Sequence, residues 1–262
     1  MVVAPGSGWP GDLATRRTQI ADSPDSVVEL AHESKTIDEL SARVSVCRAC
    51  PRLVDWREEV ARTGRASYAG QTYWGRPVTG FGPADARLVI VGLAPAAHGG
   101  NRTGRVFTGD RSGDWLFTSL HRNGFARLPI SHGADDGQEL IDARVVAAVR
   151  CAPPANVPTP AERDTCRPWF ERELTLLQPT LKVVVALGGF AWSVVWPVLA
   201  SLGYTPPKSR PKFGHLVEAV TPEGLLVLAS FHPSQQNTFT GKLTEPMLDA
   251  VFARAVDHLA AS

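Results

Sequence analysis

The stretch Leu88-Val-Ile-Val91, with the loop Gly92-Leu-Ala-Pro-Ala-Ala-His-Gly99 behind it, predicts the fold of this chain. Four consecutive apolar residues that end at a glycine are typical of a short strand buried on both faces of a sheet. Three more runs share this character: Val145-Val-Ala-Ala-Val149, Val183-Val-Val-Ala-Leu187 and Leu225-Leu-Val-Leu-Ala229. The sequence therefore predicts a central sheet of four strands.

Helical patterns lie between and around these runs. We expect helices over residues 37–47, 110–123, 160–178, 189–202 and 244–260. Thr159 and Glu162, with a proline between them, are typical of a capping box at the start of the third of these helices. Alternation of strands and helices indicates an α/β fold of three layers (α/β/α), in which helices cover both faces of a mostly parallel sheet. We expect this single domain to occupy residues 37–262.

The composition of the chain restricts its class only loosely. Residues 1–36 are rich in proline, glycine, serine and aspartate without a sustained period, which predicts a flexible N-terminal extension. No run of 18 apolar residues occurs and the N-terminus lacks a secretory signal pattern, so we expect no membrane span and a cytoplasmic protein. The formal net charge of +1 neither indicates nor excludes nucleic acid, because the distribution of charge decides that.

The chain has four cysteines, Cys47, Cys50, Cys151 and Cys166. The first two form a C-x2-C pair, whereas fourteen residues separate the other two. Tetrathiolate zinc sites usually use two short pairs, and a [4Fe–4S] cluster tolerates wider spacings, so the spacing favours a structural [4Fe–4S] cluster over zinc. Disulfides, which belong to secreted chains, and unligated core cysteines are the remaining alternatives.

Polar loops follow three of the predicted strands. They are the loop over residues 92–99, the loop Arg150-Cys-Ala-Pro-Pro-Ala-Asn156 and the loop Phe231-His-Pro-Ser-Gln-Gln-Asn237. Ligands of open α/β sheets bind outside the carboxyl ends of the strands, so we expect the three loops to converge on one cleft. The cysteine centre would then brace the middle loop.

These loops resemble the motifs of the uracil-DNA glycosylase superfamily, and most closely those of its type-5 members, which carry a [4Fe–4S] cluster. The segment from Gly92 to Asp110 resembles the extended first motif, His232-Pro-Ser-Gln-Gln-Asn-Thr-Phe-Thr-Gly241 resembles the last one, and the four cysteines match the cluster ligands. The resemblance covers about residues 40–260. It implies a monofunctional glycosylase of base excision repair that flips uracil, and also hypoxanthine or xanthine, out of double-stranded DNA and hydrolyses the N-glycosidic bond. We expect such an enzyme to be a nucleoid-associated monomer.

The resemblance implies catalytic roles for three residues. His232 would donate a hydrogen bond to the base oxygen where negative charge develops; a core histidine bonded to backbone is the alternative. Asn156 would read the uracil edge, which hypoxanthine and xanthine share in donor–acceptor order; an Asx turn is the alternative. Asp110 would position the attacking water, although its place before a helix also suits an N-cap.

Four more residues are expected to line the base pocket: Phe107, Ala94, Ala96 and His98. Phe107 would stack on the extruded base, with an ordinary core phenylalanine as the alternative. The type-1 motif Gly-Gln-Asp-Pro-Tyr has a carboxylate and a tyrosine where this chain has Ala94 and Ala96, which implies a pocket wide enough for purines. His98 would contact the base or the water, and a backbone-bonded role is the alternative.

The expected DNA contacts lie in the first and last of these loops. Arg102, Arg105 and Lys242 would bind phosphates. The last loop would approach the duplex with Ser234, Gln235, Gln236, Asn237 and Phe239, and Phe239 would act as a wedge unless it anchors the loop. Two other functions fit parts of the pattern, a non-catalytic binder of damaged DNA and a redox iron–sulfur protein. The loop segments over residues 92–99, 150–156 and 231–237 contain no lysine for a Schiff base, so we expect no lyase activity.

Overall fold

A computed structural model describes residues 2–209 and 211–261 of the chain. Its sheet contains β1 (Leu88–Gly92), β2 (Ala143–Ala147), β3 (Val183–Leu187), β4 (Glu218–Val220) and β5 (Leu226–Ser230) in the order β2-β1-β3-β5-β4. The strands β2, β1, β3 and β5 are parallel, and β4 is antiparallel to β5. The four predicted strands and the α/β class are thus confirmed. The fifth strand escaped prediction because it has only three residues, none of them buried, on the edge of the sheet.

The helices described by the structure are α1 (Pro24–Glu33), α2 (Ile37–Ser45), α3 (Pro51–Thr63), α4 (Gly100–Thr103), α5 (Arg111–Arg122), α6 (Pro160–Leu177), α7 (Gly189–Ser201), α8 (Gln235–Phe239) and α9 (Glu245–Ala260). All five predicted helices are present within two residues of their expected bounds. The capping box of Thr159 and Glu162 is formed at the start of α6. None of the helices within residues 2–209 and 211–261 is long and apolar enough to cross a membrane.

Alternate residues of the parallel strands are buried against different helices, which explains the continuous apolar runs. Leu88 and Ile90 of β1 join a core cluster with residues of α5 and α9. Val89 and Val91 join another with residues of α6 and α7. The sheet is therefore the middle of three layers, and all five residues of each parallel strand are buried.

The N-terminal segment differs from the predicted flexible extension, because residues 2–36 pack against the domain. Asp12 forms a buried ion pair with Arg76 at 2.7 Å, and Trp9 Nε1 donates a hydrogen bond to the Thr103 carbonyl at 3.3 Å. Helix α1 buries Val27 and packs against α6. The partners of these residues lie far along the chain, so no local period in the sequence announces the packing.

Candidate active site

Three loops leave the carboxyl ends of parallel strands and carry most of the predicted site. Loop A (residues 93–110) joins β1 to α5 and includes α4, loop B (148–159) joins β2 to α6, and loop C (231–244) joins β5 to α9 and includes α8. The strands β2 and β1 are neighbours, and β3 separates β1 from β5. Parallel strands end at the same edge of a sheet, so the three loops share one edge.

Phe107 of loop A and His232 of loop C lie side by side at this edge. Their ring centroids are 5.7 Å apart, with 32° between the ring planes. A Cβ on Gly92, the last residue of β1, would lie 2.7 Å from Phe107 Cε2, and a Cβ on Gly113 would overlap the Phe107 carbonyl oxygen. Glycine at these two positions is therefore what allows the aromatic ring to lie against the end of the strand beside the imidazole.

His232 is held as a neutral imidazole. Its ring is partly buried, and this desolvation lowers the pKa of His232 from its ordinary 6.5 to about 4. The backbone carbonyl of His232 accepts a hydrogen bond from Asn237 Nδ2 at 2.8 Å, which fixes the start of loop C. A neutral imidazole carries one N–H donor and one acceptor, so the ring can donate one hydrogen bond in its neutral form.

Asp110 caps helix α5 as the sequence allowed. Its Oδ1 accepts a hydrogen bond from the Gly113 N–H at 2.9 Å, and burial raises the pKa of the Asp110 carboxyl. The second oxygen, Oδ2, lies against the backbone of loop A, since a Cβ on Gly99 would overlap it. One carboxylate oxygen is thus used by the helix cap, and the other faces loop A.

His98 is anchored by Tyr73. Its Nδ1 lies 3.0 Å from the Tyr73 hydroxyl, the two rings meet edge to face with centroids 6.0 Å apart, and burial lowers the pKa of His98. The carbonyl of Ala96 accepts hydrogen bonds from the Gly99 and Asn101 amides, which closes the turn of loop A. Ala94 packs beside a small apolar cluster that includes Cys151. These contacts order loop A.

Two of the arginines predicted to contact phosphates are engaged by partners within the protein. Arg105 is buried, with an ion pair to Asp136 at 2.5 Å and a hydrogen bond to the Ala134 carbonyl at 2.7 Å. Arg102 donates to the carbonyls of His98 and Gly109, both at 2.8 Å, and to Gln71 Oε1. The Arg102 guanidinium therefore holds loop A together, the Arg105 guanidinium ties loop A to residues 131–136, and both are engaged within the protein in this structure.

Asn156 ends a short 3₁₀ turn (Pro154–Asn156) in loop B and is exposed. Ala155 and Asn156 both have positive φ, 52° and 58°, a conformation that asparagine tolerates better than most residues. No hydrogen bond of the Asn156 carboxamide is found among the described residues. The structure therefore brings Phe107 and His232 together but leaves the Asn156 side chain at the surface.

Loop C presents an exposed face next to His232. Ser234 caps α8 by accepting from the Asn237 amide, Gln235 and Gln236 are exposed, and 64% of the Phe239 surface is exposed. The guanidinium of Arg111 lies over the Phe239 ring, 4.4 Å from its centroid. Arg111 directly follows Asp110 in the chain, so this contact joins the end of loop A to loop C.

The four cysteines line one cavity with apolar side chains that include Val27, Leu53 and Trp169. Arg57 of α3 donates to Cys151 Sγ at 2.9 Å, and the Arg150 amide donates to Cys166 Sγ at 3.3 Å. Burial raises the pKa of the Cys47 and Cys166 thiols and that of Cys50 to about 12. Within the described residues, however, no three His, Cys, Asp or Glu side chains are arranged to bind a metal ion.

Sequence comparison identifies the class of this protein. The profile of the uracil DNA glycosylase superfamily matches residues 79–259, a range that contains Phe107, Asp110, Asn156 and His232. The chain belongs to this superfamily.

Relatives with high identity narrow the comparison. The chain is 54% identical over 253 residues to the type-5 uracil-DNA glycosylase of Mycobacterium tuberculosis (strain CDC 1551 / Oshkosh). The aligned region covers 97% of this chain and 93% of that protein. It is 49% identical over 212 residues to the type-5 enzyme of Thermus thermophilus, with 81% and 93% covered. For the type-5 enzyme of Pyrobaculum aerophilum the identity is 44% over 218 residues, with 83% and 91% covered. The predicted resemblance to type-5 members is confirmed.

Three residues with clear structural roles escaped the sequence analysis. Tyr73 holds His98, Arg57 holds Cys151, and Arg111 stacks on Phe239. The sequence signal for Arg111 was its position directly after Asp110. Tyr73 and Arg57 lie outside the three loops and the cysteine pairs, so only their contacts in the structure show their roles.

Proposed function

We propose that this chain is a monofunctional uracil-DNA glycosylase that hydrolyses the N-glycosidic bond of uracil flipped from double-stranded DNA. The observation that carries the proposal is the pairing of the Phe107 ring with a neutral His232 at the carboxyl edge of the sheet. An aromatic face stacks on any extruded base, and a neutral N–H donor stabilises the oxygen of a base that leaves as an anion. As a repair enzyme it acts on chromosomal DNA in the cytoplasm, as a monomer.

His232 acts on the leaving base. Cleavage of the bond to C1′ moves negative charge onto the base oxygens and positive charge onto the sugar. A hydrogen bond from the imidazole N–H strengthens as that charge grows, so it stabilises the transition state more than the bound substrate. Because His232 is neutral at pH 7, it would act as a neutral hydrogen-bond donor through its one N–H group.

Asp110 acts on the water that attacks C1′. Its Oδ1 is bound to the Gly113 amide, so Oδ2 is the oxygen left to orient water. An ionised carboxylate also favours the positive charge that develops on the sugar. Capping α5 and holding water are compatible roles, because they use different oxygens of the same group.

Asn156 reads the base. Its carboxamide offers one acceptor and two donors, which match the N3–H and O4 of uracil and the N1–H and O6 of hypoxanthine and xanthine. Cytosine presents the opposite order, so it is rejected. The exposed position and left-handed backbone of Asn156 leave the carboxamide able to meet a base that enters the site. The alanines at 94 and 96 lack the bulk that would exclude a purine.

The DNA-facing surface is centred on α8. Phe239 is the exposed apolar side chain that would enter the duplex, and Arg111 and Lys242 are exposed cations of the same region. Lys242 Nζ lies 4.9 Å from the centroid of Phe231. Since Arg102 and Arg105 are both engaged by partners within the protein, we assign the phosphate contacts to Arg111 and Lys242.

The cysteine cavity fits a [4Fe–4S] cluster in its donor set. Cys47, Cys50, Cys151 and Cys166 would hold the cluster, and the surrounding apolar side chains exclude water. The N–H groups of Arg57 and Arg150 already point at two of the sulfurs, as expected for a site that holds thiolates. When bound, the cluster supplies cross-linking between α2, α3, loop B and α6, and the chemistry at the base is left to the loops.

A base-release assay tests the proposed function. The full-length protein is incubated with a duplex that contains a single uracil, and free uracil and strand breaks are measured with and without alkali. We expect uracil release, breaks only after alkali, and a loss of about 100-fold in rate for His232→Ala. His32→Ala is the matched control, since His32 is exposed at the end of α1. Tight binding of the duplex by the wild type without release of uracil would show a binding protein and overturn the proposal.

A further inference from the structure

Arg57 connects the cysteine cavity to loop A. Its side chain is only 2% exposed, with Nη1 2.9 Å from Cys151 Sγ and Nη2 3.0 Å from the Cys47 carbonyl. Its own backbone carbonyl accepts a hydrogen bond from Asn101 Nδ2 at 3.1 Å. Asn101 is fully buried in α4, within loop A. One residue of α3 thus contacts two cysteines by its side chain and loop A by its main chain.

Buried charge around the cavity is unbalanced. Arg57 and Arg150 both line the cavity and are buried, and Arg150 shares the buried Glu173 with Arg144, at 2.5 and 2.6 Å respectively. Glu58 lies 3.9 Å from Arg57, but it is partly exposed and already bound to Arg48. Among the described residues, Arg57 therefore has no fully buried carboxylate partner.

A burial of uncompensated charge is costly, and folded proteins avoid it by placing an opposite charge nearby. Four thiolates on a [4Fe–4S] core in its 2+ state carry two net negative charges, which would offset the Arg57 guanidinium beside Cys151. Neutral thiols or disulfides in the same cavity would leave the Arg57 guanidinium without a buried counter-charge. The charge distribution thus matches an anionic tetrathiolate centre.

We propose that Arg57 is a positioning residue that couples the thiolate centre to loop A. Its guanidinium offsets the charge of the centre and holds Cys151 and Cys47, while its carbonyl anchors Asn101 and with it the segment that ends at Phe107 and Asp110. The proposal rests on the proposed [4Fe–4S] cofactor. Arg57 does not contact the base, the sugar or the water.

The test compares Arg57→Met and Arg57→Lys with Arg62→Met. Arg62 lies on the same helix and 68% of its side chain is exposed, so its substitution controls for the loss of an arginine from α3. Iron per chain, the rate at which visible cluster absorbance disappears under a chelator, and the midpoint potential by dye titration are measured on the intact proteins. These quantities report on the centre itself and not on base excision.

We expect Arg57→Met to lose its cluster about 10- to 100-fold faster than wild type, the usual cost of removing a hydrogen-bond partner of a metal ligand. Its midpoint potential should fall, because an added electron is no longer offset by the guanidinium. Arg57→Lys keeps the charge and should restore most of the potential. If Arg57→Met does not fold, Arg57→Lys alone still tests the proposal, since loss of the paired N–H groups should speed cluster loss in it as well.

Retention and potential in the Arg57 variants equal to those of Arg62→Met would overturn the role of Arg57 and leave the cofactor intact. A wild-type protein that holds no iron and no visible cluster absorbance would instead overturn the cofactor, and the role of Arg57 with it. Release of uracil by the wild type, measured in parallel, reports on the enzymatic proposal separately from both.

Discussion

The buried, neutral state of His232 predicts a pH-dependent stability that the substitution His232→Gln removes. Burial lowers the pKa of His232 from 6.5, its value in an unfolded chain, to about 4 in the folded protein. The folded state therefore takes up a proton less readily than the unfolded state. The stability that comes from keeping the ring neutral is present above pH 6.5 and is lost as the pH falls towards 4.

The size of the effect follows from the difference between the two pKa values. One pKa unit corresponds to about 1.4 kcal/mol, so the loss amounts to about 2 kcal/mol at pH 5 and about 3 kcal/mol at pH 4. These figures are upper values, because the ring is only partly buried and water screens part of the charge. Glutamine keeps an N–H donor but does not titrate, so His232→Gln lacks this contribution.

The assay is urea unfolding of wild type, His232→Gln and the control His32→Gln at pH 7, 6, 5.5 and 5. We expect the free energy of unfolding of the wild type and of His32→Gln to fall by about 2 kcal/mol more than that of His232→Gln between pH 7 and 5. Wild type and His232→Gln share every other titrating group, so those contributions cancel between them, and His32→Gln controls for the loss of a histidine as such. Parallel curves for all three would refute the neutral, buried state of His232 and the role as donor that depends on it.

Three further substitutions test the other loops. Asp110→Asn keeps the helix cap, because asparagine caps as well as aspartate, but should reduce turnover about 100-fold with little change in melting temperature; wild-type turnover would limit Asp110 to capping. Asn156→Ala should lower kcat/KM for uracil and hypoxanthine alike, by about 10-fold or more, and a loss on one base alone would contradict the shared edge. Arg111→Met should reduce the slope of log K for duplex DNA against log salt by about one, whereas the control Arg254→Met, whose arginine pairs with Glu218, should leave it unchanged; equal slopes would remove Arg111 from the interface.

The parts of the fold that the sequence predicts are those encoded by local periodicity. Val183–Leu187 is a strand in the prediction and in the structure, because a run of five apolar residues between turns is typical of a buried strand in a parallel sheet. The helix over Pro160–Leu177 follows in the same way from the cap at Thr159. β4 could not be predicted, since its three residues have neither a hydrophobic run nor an alternation. It exists because β5 offers it an edge, and that is a property of the assembled sheet.

The N-terminal segment is a second case in which long-range contacts could not be predicted from the local sequence. Its composition predicts flexibility, yet Asp12 meets Arg76 and Ser45 meets the same guanidinium at 2.8 Å. A carboxylate that is 1% exposed beside a paired arginine is ordered by tertiary contact, whatever the glycine and proline content around it. Composition measures the entropy that folding must overcome, and it contains no information about partners at a distance along the chain.

The sequence predicted which residues lie in the loops of the candidate site, but it predicted less well what each of these residues contacts. The prediction placed Arg102 and Arg105 on DNA because they are cations in a loop at the site, but the glycine-rich loop A has many backbone carbonyls and few internal partners for them. Arg102 satisfies two of these carbonyls, while Arg105 donates to the Ala134 carbonyl and is neutralised by Asp136, beyond α5. The arginines of the loop that carries Phe107 and Asp110 are therefore already bound within the protein. The charge that attracts the phosphate backbone therefore has to come from residues outside that network. Arg111 meets this requirement, because it stacks on the exposed Phe239 and no carboxylate lies within ion-pair distance of it among the described residues.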